Sequence, residues 1–186
     1  MDFDISNLDF SKPVERISYA SYNSKGVVFL NAPFILRQIY QDSIDLEFVS
    51  ENEKMYKIVN IISECIPIVV LNNSSSWFGK MLKADFVKNN FKNALRLPET
   101  IGGGTLINVQ FDKLEITEDS KKIRISNLKK YLNAKVLVDI KFIGVEFQKN
   151  SYMSKYSTDR MEIISEVEEC YFDVSNGELL EDSEQE

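Results

Sequence analysis

Residues 134–147, AKVLVDIKFIGVEF, decide the fold. Apolar residues recur at every second position in the first part of this stretch and so share one face of a strand: Val136, Val138, Ile140 and Phe142. Val145 and Phe147 have the opposite parity, so the strand must shift phase near Gly144, most simply by a bulge or bend. A long strand that bends at a glycine favours a small, partly open barrel, although a bent β-sandwich would leave the same pattern.

Other strand signals lie on both sides of this stretch. Residues 16–22 and 26–30 predict a hairpin that turns at positions 23–26. Residues 44–48 alternate apolar and acidic side chains, which predicts a third strand with one buried face. Three more strands are predicted downstream, at residues 106–111, 121–128 and 160–174.

Two helices interrupt the strands. Apolar residues recur at helical spacing from Glu53 to Ile66, and we expect Pro67 to end that helix because proline cannot continue it. Residues 74–97 predict a second helix, with serines suited to capping its start. The fold class is therefore α+β and β-rich, with inserted helices.

Length and composition set the broad class. The chain has 186 residues, 44% of them hydrophobic, which suits one ordinary domain. We expect a single β-rich binding domain at 1–177 and an acidic C-terminal tail at 178–186. No apolar run approaches the ~20 residues of a membrane span, and the acidic start is unlike a secretory signal. We therefore expect an intracellular protein, in the cytoplasm or an infected host cell or in a virion, with no membrane partner.

Several kinds of chemistry have no support in the sequence. With no histidine and only two cysteines, the chain offers neither a usual zinc site nor a histidine-based catalytic triad. Acidic residues are spread widely, so no pair stands out as general acid and base. The glycine cluster at 102–104 lacks the ending of a phosphate loop. We expect a non-enzymatic protein without metal or cofactor.

Basic and aromatic residues give three candidate binding regions. On the predicted second helix, Lys88, Lys92 and Arg96 are four residues apart and would form one stripe facing an anion, or a solvated charged face. Near the start of that helix, Trp77 could stack on bases or serve the core. A second basic cluster, at 121–130, has no acid among residues 120–133 and includes Lys121, Lys122 and Arg124.

Residues 148–160, QKNSYMSKYSTDR, form the third region. Two aromatic residues, Tyr152 and Tyr156, are interleaved there with three basic ones: Lys149, Lys155 and Arg160. This mixture suits a loop that stacks bases and holds phosphates. A polar hairpin loop with two locally packed tyrosines is the alternative.

Net charge opposes simple electrostatic capture of a polyanion. The chain carries −7 and has a pI near 4.8. Five of its acids lie in 178–186, which leaves −2 for the rest of the chain. An acidic end of this kind is typical of a segment that binds protein partners, and it can also compete with a polyanion for a basic groove. A tail that only increases solubility is the alternative.

The layout resembles phage-type single-stranded-DNA-binding proteins and their relatives in large DNA viruses. The shared features are the strand order, an inserted helical region, the long penultimate strand KVLVDIKFIGVEF, a polar loop, the final strand MEIISEVEECYF and an acidic end. The resemblance implies an OB-like barrel with an acidic tail and a groove contact by Trp77, Lys149, Tyr152, Lys155, Tyr156 and Arg160. The acidic final strand and the absence of a terminal aromatic residue depart from that family.

Two hypotheses follow from these patterns. The first is a single-stranded nucleic-acid-binding protein, with single-stranded DNA as ligand, that acts in viral or phage-like DNA replication or recombination through base stacking and phosphate contacts. The second is a structural or scaffold protein of a viral particle or another assembly. Both leave room for protein partners at the acidic tail and for a homo-oligomer.

Overall fold

The computed structural model describes residues 3–97 and 103–164. Within these ranges the chain forms twelve strands, two α-helices and three short 3-10 helices. The strands before the helices are β1 (Leu8–Phe10), β2 (Ile17–Tyr22), β3 (Val27–Ile39) and β4 (Ser43–Phe48). The helices are α1 (Glu53–Phe78) and α2 (Ala84–Asn89). The later strands are β5 (Phe91–Lys92), β6 (Leu95–Arg96), β7 (Leu106–Gln110), β8 (Glu115–Glu118), β9 (Lys121–Ile123), β10 (Lys135–Phe147), β11 (Tyr152–Ser157) and β12 (Arg160–Ile163).

Five strands close into a barrel. Going round the ring, β3 pairs with β4, β4 with β7, β7 with β11, β11 with β10, and β10 with β3. All these pairs are antiparallel except β7 and β11, which meet in parallel at Gln110 and Ser157. The barrel strands thus lie in the order first, second, third, fifth, fourth. This is an OB-like barrel, as the sequence predicts, and the alternative of a bent sandwich is not observed.

Strand β10 bends at Gly144 and pairs with β2, β3, β11 and β12. Its register against β11 shifts between Phe142 and Gly144, which confirms the predicted phase change. Gly144 has a φ of 141°, and a Cβ at this position would lie 2.0 Å from the carbonyl oxygen of Ser18. Only glycine therefore allows β2 to approach β10 so closely.

Helix α1 packs one face against the barrel. Its buried apolar residues recur at helical spacing: Met55, Val59, Ile62, Ile66 and Val70. Each fully buried aliphatic side chain of this size contributes about 1.5 to 3 kcal/mol relative to leaving it in water. The helix ends at Gly79, whose left-handed φ of 70° is the usual conformation at a helix C-terminus.

Four sequence predictions about these elements are wrong or incomplete. Pro67 lies inside α1, which continues for three more turns because its buried face continues to Ser74. Residues 74–97 are not one helix, since Gly79 ends α1 and β5 and β6 follow α2. The segment 121–128 is a strand only over Lys121–Ile123, and β8 was not predicted. Residues 148–160 are not an open loop, because they contain β11.

Of the other predictions, one more is wrong in part, and the rest are confirmed or lie outside the described residues. The strand β4 with buried Ile44 and Leu46 is confirmed. The predicted strands β2 and β3 both form, but they are not a hairpin: apart from a bridge between Tyr22 and Lys25 at the turn, β2 pairs with β1 and β10, and β3 pairs with β10 and β4. The strand predicted at 160–174 is confirmed over Arg160–Ile163, and its remainder from 165, like the acidic tail at 178–186, lies outside the described residues. One helical stretch, Ser50–Phe78, is apolar and long enough to cross a membrane by composition alone. A helix that packs on a protein core passes the same test, so this is weak evidence for a membrane.

Candidate nucleic-acid interface

A pocket of about 250 Å³ opens beside the turn between β10 and β11. Two regions that are distant in sequence form it: the end of α1 with the chain that follows through α2, and the β10–β11 turn. We call it the loop pocket. Its lining residues are Val70, Phe78, Lys80, Leu82, Phe86, Val87, Asn90 and Phe147 to Tyr152.

Hydrogen bonds hold the walls of the loop pocket in place. The Ser74 hydroxyl accepts a hydrogen bond from the backbone N–H of Leu82 at 3.1 Å, which folds the segment after α1 back onto the helix. The backbone N–H of Tyr152 donates to the Asn90 carbonyl oxygen at 3.0 Å, and the Tyr152 hydroxyl donates to the Val87 carbonyl oxygen at 2.8 Å. The end of α2 is thereby attached to β11. A tight turn, closed by a 2.8 Å bond from Gln148 N–H to the Ser151 carbonyl, leaves the turn's tip in solvent.

Aromatic rings form a continuous chain along one wall. Phe147 packs against Phe78, Trp77 and Tyr152, with ring centroids 5.2, 6.0 and 5.9 Å away. Phe78 is 37% exposed, and Phe86 on α2 is 53% exposed. Large apolar rings left in solvent beside a pocket are available to stack on the flat face of a base.

The charge around the loop pocket is positive although the chain as a whole is acidic. Residues 78–92 and 148–152 carry five lysines and a single carboxylate, Asp85. The lysines are Lys80, Lys83, Lys88, Lys92 and Lys149. No ion pair involving any of the five is found among the described residues. Lys80 and Lys149 line the pocket itself, and no carboxylate does.

A polar network covers the outer face of β4 and β7, next to the turn between β3 and β4. Asp45 points outward yet its side chain is only 2% exposed, because Arg96 forms an ion pair with it and two further donors surround it. The Tyr40 hydroxyl donates to Asp45 at 2.9 Å, and the Asn108 amide donates to Asp45 at 2.8 Å. We call this group the face network. In OB-folds the face of the second and third barrel strands and the two flanking loops bind oligonucleotides, and here those strands are β4 and β7.

A second carboxylate lies on the same face as the network. Glu47 accepts hydrogen bonds from the Arg37 guanidinium at 2.5 Å and from the Gly104 backbone N–H at 3.0 Å. The hydrogen bond from Arg37 is the main reason that the pKa of Glu47 lies below its ordinary value; burial opposes it. The face therefore presents two arginines, each paired with a carboxylate.

The structure brings together some of the residues predicted from the sequence. Trp77 is half-buried against Phe147, and Lys149 is exposed at the tip of the turn. Lys88 and Lys92 are exposed beside the loop pocket on α2 and β5, although not as a helical stripe. Arg96 lies instead on β6, where it joins the face network.

The two tyrosines of the third region are buried and do not offer their rings to a ligand. Tyr152 and Tyr156 occupy inward positions of β11, and only 5% and 1% of their surfaces are exposed. Burial raises the pKa of both hydroxyls. Tyr152 supports the loop pocket from behind, whereas Tyr156 packs against Phe142 inside the barrel.

The remaining predicted cations are dispersed. Lys155 pairs with Glu146 at 3.4 Å, and Arg160 pairs with Glu162 at 3.8 Å. The cluster of Lys121, Lys122 and Arg124 lies at or next to β9, which stands at the opposite end of the sheet from β5. The sheet therefore does not join this cluster to the loop pocket.

Sequence reasoning missed six residues that the structure places at these surfaces. They are Lys80, Lys83, Phe86, Tyr40, Asp45 and Asn108. Phe86 carried a usable signal, since it precedes Val87 in a short amphipathic segment where only one of the two can be buried. No group of three or more metal-ligating side chains is found in the described part of the chain.

Comparisons with known proteins give likenesses of fold. No family model matches the chain, and no curated protein matches its sequence. The crystal structure of gp2.5, a single-stranded DNA-binding protein encoded by bacteriophage T7, aligns with 75% of this chain and 86% of its own, at 10% identity and a TM-score of 0.48. The single-stranded DNA-binding protein from bacteriophage Enc34 aligns with 84% of this chain and 88% of its own, at 13% identity and a TM-score of 0.46.

The Enc34 protein in complex with single-stranded DNA gives a similar alignment. It covers 84% of this chain and 94% of that chain, at 12% identity and a TM-score of 0.45. The resemblance to phage single-stranded-DNA-binding proteins that the sequence layout indicates is thus confirmed as a likeness to solved structures.

Proposed function

We propose that this chain binds single-stranded nucleic acid without enzymatic activity, with bases stacked at the loop pocket and phosphates held by the surrounding lysines. One observation carries the proposal: exposed aromatic rings, and lysines that form no ion pair with another described residue, converge on the turn between the fourth and fifth barrel strands of an OB-like barrel. The proposal rests on this surface.

The chemistry of the loop pocket suits a strand of any sequence. Every base has a flat π-face, so stacking on Phe78 and Phe86 needs no particular base. Lysines at the rim contact phosphates, which are common to all sequences. Single strands expose both features at once, whereas a duplex keeps its bases stacked internally.

A role follows from binding of this kind. A protein that holds exposed strands without sequence preference would coat single-stranded DNA during viral or phage-like replication or recombination, inside an infected host cell. Contacts of the acidic segment 178–186 with protein partners and self-association of the chain remain predictions, and that segment lies outside the described residues.

Fluorescence titration of the full chain tests the proposal. The single tryptophan, Trp77, touches the ring edges of Phe78 and Phe147, so a base that stacks on this wall should change its emission. The ligand is an oligothymidylate of about 16 nucleotides, the upper end of the site size of one OB-fold. We expect saturable binding that weakens as salt is raised.

A matched pair of variants locates the site. Phe86→Ala removes the most exposed ring of the loop pocket and should weaken binding by about 1 to 3 kcal/mol, the usual loss for one stacked base. Leu30→Ala removes a comparably exposed apolar side chain from β3, away from the pocket, and should leave affinity unchanged. Equal affinities for both variants and the parent chain would contradict stacking at this site. Absence of binding by the parent chain at low salt would favour the scaffold hypothesis.

A further inference from the structure

The face network contains a carboxylate whose position needs an explanation. Asp45 lies on the outside of the barrel, so it takes no part in the apolar core, yet its side chain is almost wholly covered. Removing a carboxylate from water is costly unless hydrogen bonds and an opposite charge replace the water. Asp45 has both, since Tyr40 and Asn108 donate to it and Arg96 pairs with it.

The groups that cover Asp45 remain open to solvent on their other side. Tyr40 is 39% exposed, and the Arg96 side chain is 44% exposed. Each is held at its polar end by Asp45, and a large part of each remains exposed. An aromatic ring and a guanidinium plane are the two side-chain surfaces on which single-stranded bases stack.

We propose that Asp45 is a positioning residue that holds Tyr40 and Arg96 as a second base-contacting surface on the outer face of β4 and β7. The inference deepens the proposed function and rests on it. The carboxylate itself touches no nucleic acid, because its oxygens face its three protein donors. Its role is to fix the orientation of two flexible side chains before the ligand arrives, which lowers the entropy lost on binding.

The proposal predicts that neutralising Asp45 changes the binding affinity in the opposite direction from the one that charge alone would give. Neutralising a carboxylate near a polyanion normally strengthens binding, because a repulsion is removed. Neutralising Asp45 as asparagine should instead weaken binding, because the amide has no charge and a single acceptor oxygen, and so cannot hold Tyr40, Arg96 and Asn108 together. We expect Asp45→Asn to reduce affinity for the oligothymidylate by about fivefold or more, the lower end of the loss of one stacked base.

The first experiment compares Asp45→Asn with Glu162→Gln in the full chain. Both variants remove one negative charge, but Glu162 lies on β12 and pairs with Arg160, away from the face network. Glu162→Gln should leave affinity unchanged or slightly raised. The loss in Asp45→Asn should persist at high salt, because stacking is not screened. Thermal unfolding of each variant shows that the folded chain is being titrated.

A double-mutant cycle separates positioning from general damage to the fold. Asp45 acts through both Tyr40 and Arg96, so Asp45→Asn should cost less affinity in a Tyr40→Ala background, where only Arg96 remains to be misplaced, than in the parent chain. Tyr40→Phe, which keeps the ring and all of Asp45's other donors, should weaken binding in the same direction but less.

Three results would overturn the inference. The first is an Asp45→Asn variant that binds as tightly as the parent chain or more tightly. The second is a cycle in which the two losses simply add. The third is no binding by the parent chain, which would overturn the proposed function as well; the first two overturn this inference alone.

Discussion

The salt dependence of binding should identify the lysines that hold the strand. We consider the double variant Lys80→Ala and Lys149→Ala, which removes the two cations that line the loop pocket. Both side chains are exposed and lie outside the ion pairs of the described structure, so their removal should leave the free energy of unfolding nearly unchanged.

The size of the effect follows from the number of phosphate contacts. For single strands, the logarithm of the binding constant falls with the logarithm of salt concentration with a slope of about −0.7 per neutralised phosphate. Five contacting lysines would give a slope of about −3.5, and loss of two should reduce its magnitude by about 1.4. The affinity of the double variant should therefore approach that of the parent chain as salt is raised.

The assay is the Trp77 titration repeated at several salt concentrations. Its control is Lys129→Ala with Lys130→Ala, an equal charge change on the 3-10 helix Ile125–Tyr131, at the opposite end of β10. Screening over about 8 to 10 Å at moderate salt makes those remote lysines contribute little. If the control reduces the magnitude of the salt slope as much as the pocket variant does, the phosphates do not bind specifically at the loop pocket.

Three further predictions concern stability, each measured by thermal or denaturant unfolding. Gly144→Ala should destabilise the fold by about 3 kcal/mol or more, because its Cβ would collide with the backbone of β2 at a strained φ. In the control Gly26→Ala the new Cβ has no contact under 4.0 Å, so the cost should be less than about 1 kcal/mol. Equal costs for the two variants would contradict the close approach of β2 to β10. Tyr156→Phe should be neutral or slightly stabilising and leave DNA affinity unchanged, because the buried hydroxyl has no partner of normal hydrogen-bond geometry within the described residues. Weaker DNA binding by this variant would show that the hydroxyl contacts the ligand after all. The hydrogen bond from Lys135 is the main cause that lowers the pKa of Glu51 from 4.5 to about 2. A lowered carboxylate pKa stabilises the fold at pH values above the unfolded pKa, and that contribution is lost as the folded group is protonated. The free energy of unfolding should therefore fall as the pH drops from about 4.5 towards 2. Glu51→Gln should therefore lose less stability over that range, and an identical loss in both chains would assign the acid sensitivity to other groups.

The barrel was predictable because its decisive signals are local. The change of parity around Gly144 fixes the bend of β10 without knowledge of any neighbour, and the alternation of β4 fixes its buried face. Pro67 was misleading because its local cost, about 3 kcal/mol in a helix interior, is outweighed by the apolar face that α1 buries on both sides of it.

Strand β11 was hidden by one small polar residue. Tyr152, Ser154 and Tyr156 all point inward, but a serine between two tyrosines makes the segment look like a polar loop. Ser154 is accepted in the interior because its hydroxyl receives a 3.4 Å hydrogen bond from the Ala94 backbone N–H. That partner is sixty residues away, and a sequence pattern carries no trace of it.

The candidate site was only partly predictable for the same reason. Lys149 and Trp77 were recognisable as residue types, but the loop pocket exists only where two regions distant in sequence meet. The face network likewise joins Tyr40, Asp45, Arg96 and Asn108, which no spacing rule connects.

The insertion of both helices between two barrel strands has a consequence for the order of folding. Strands β4 and β7 are hydrogen-bonded neighbours, yet the chain between them runs from 49 to 105 and carries α1 and α2. Bringing their ends together early would cost the closure entropy of a long flexible loop, so the ring is expected to shut late, after α1 has formed locally and docked on the β3–β4 hairpin. Until then the outer edge of β4 has no partner, and a nascent chain stalled at this stage would be at risk of pairing with a second copy of itself.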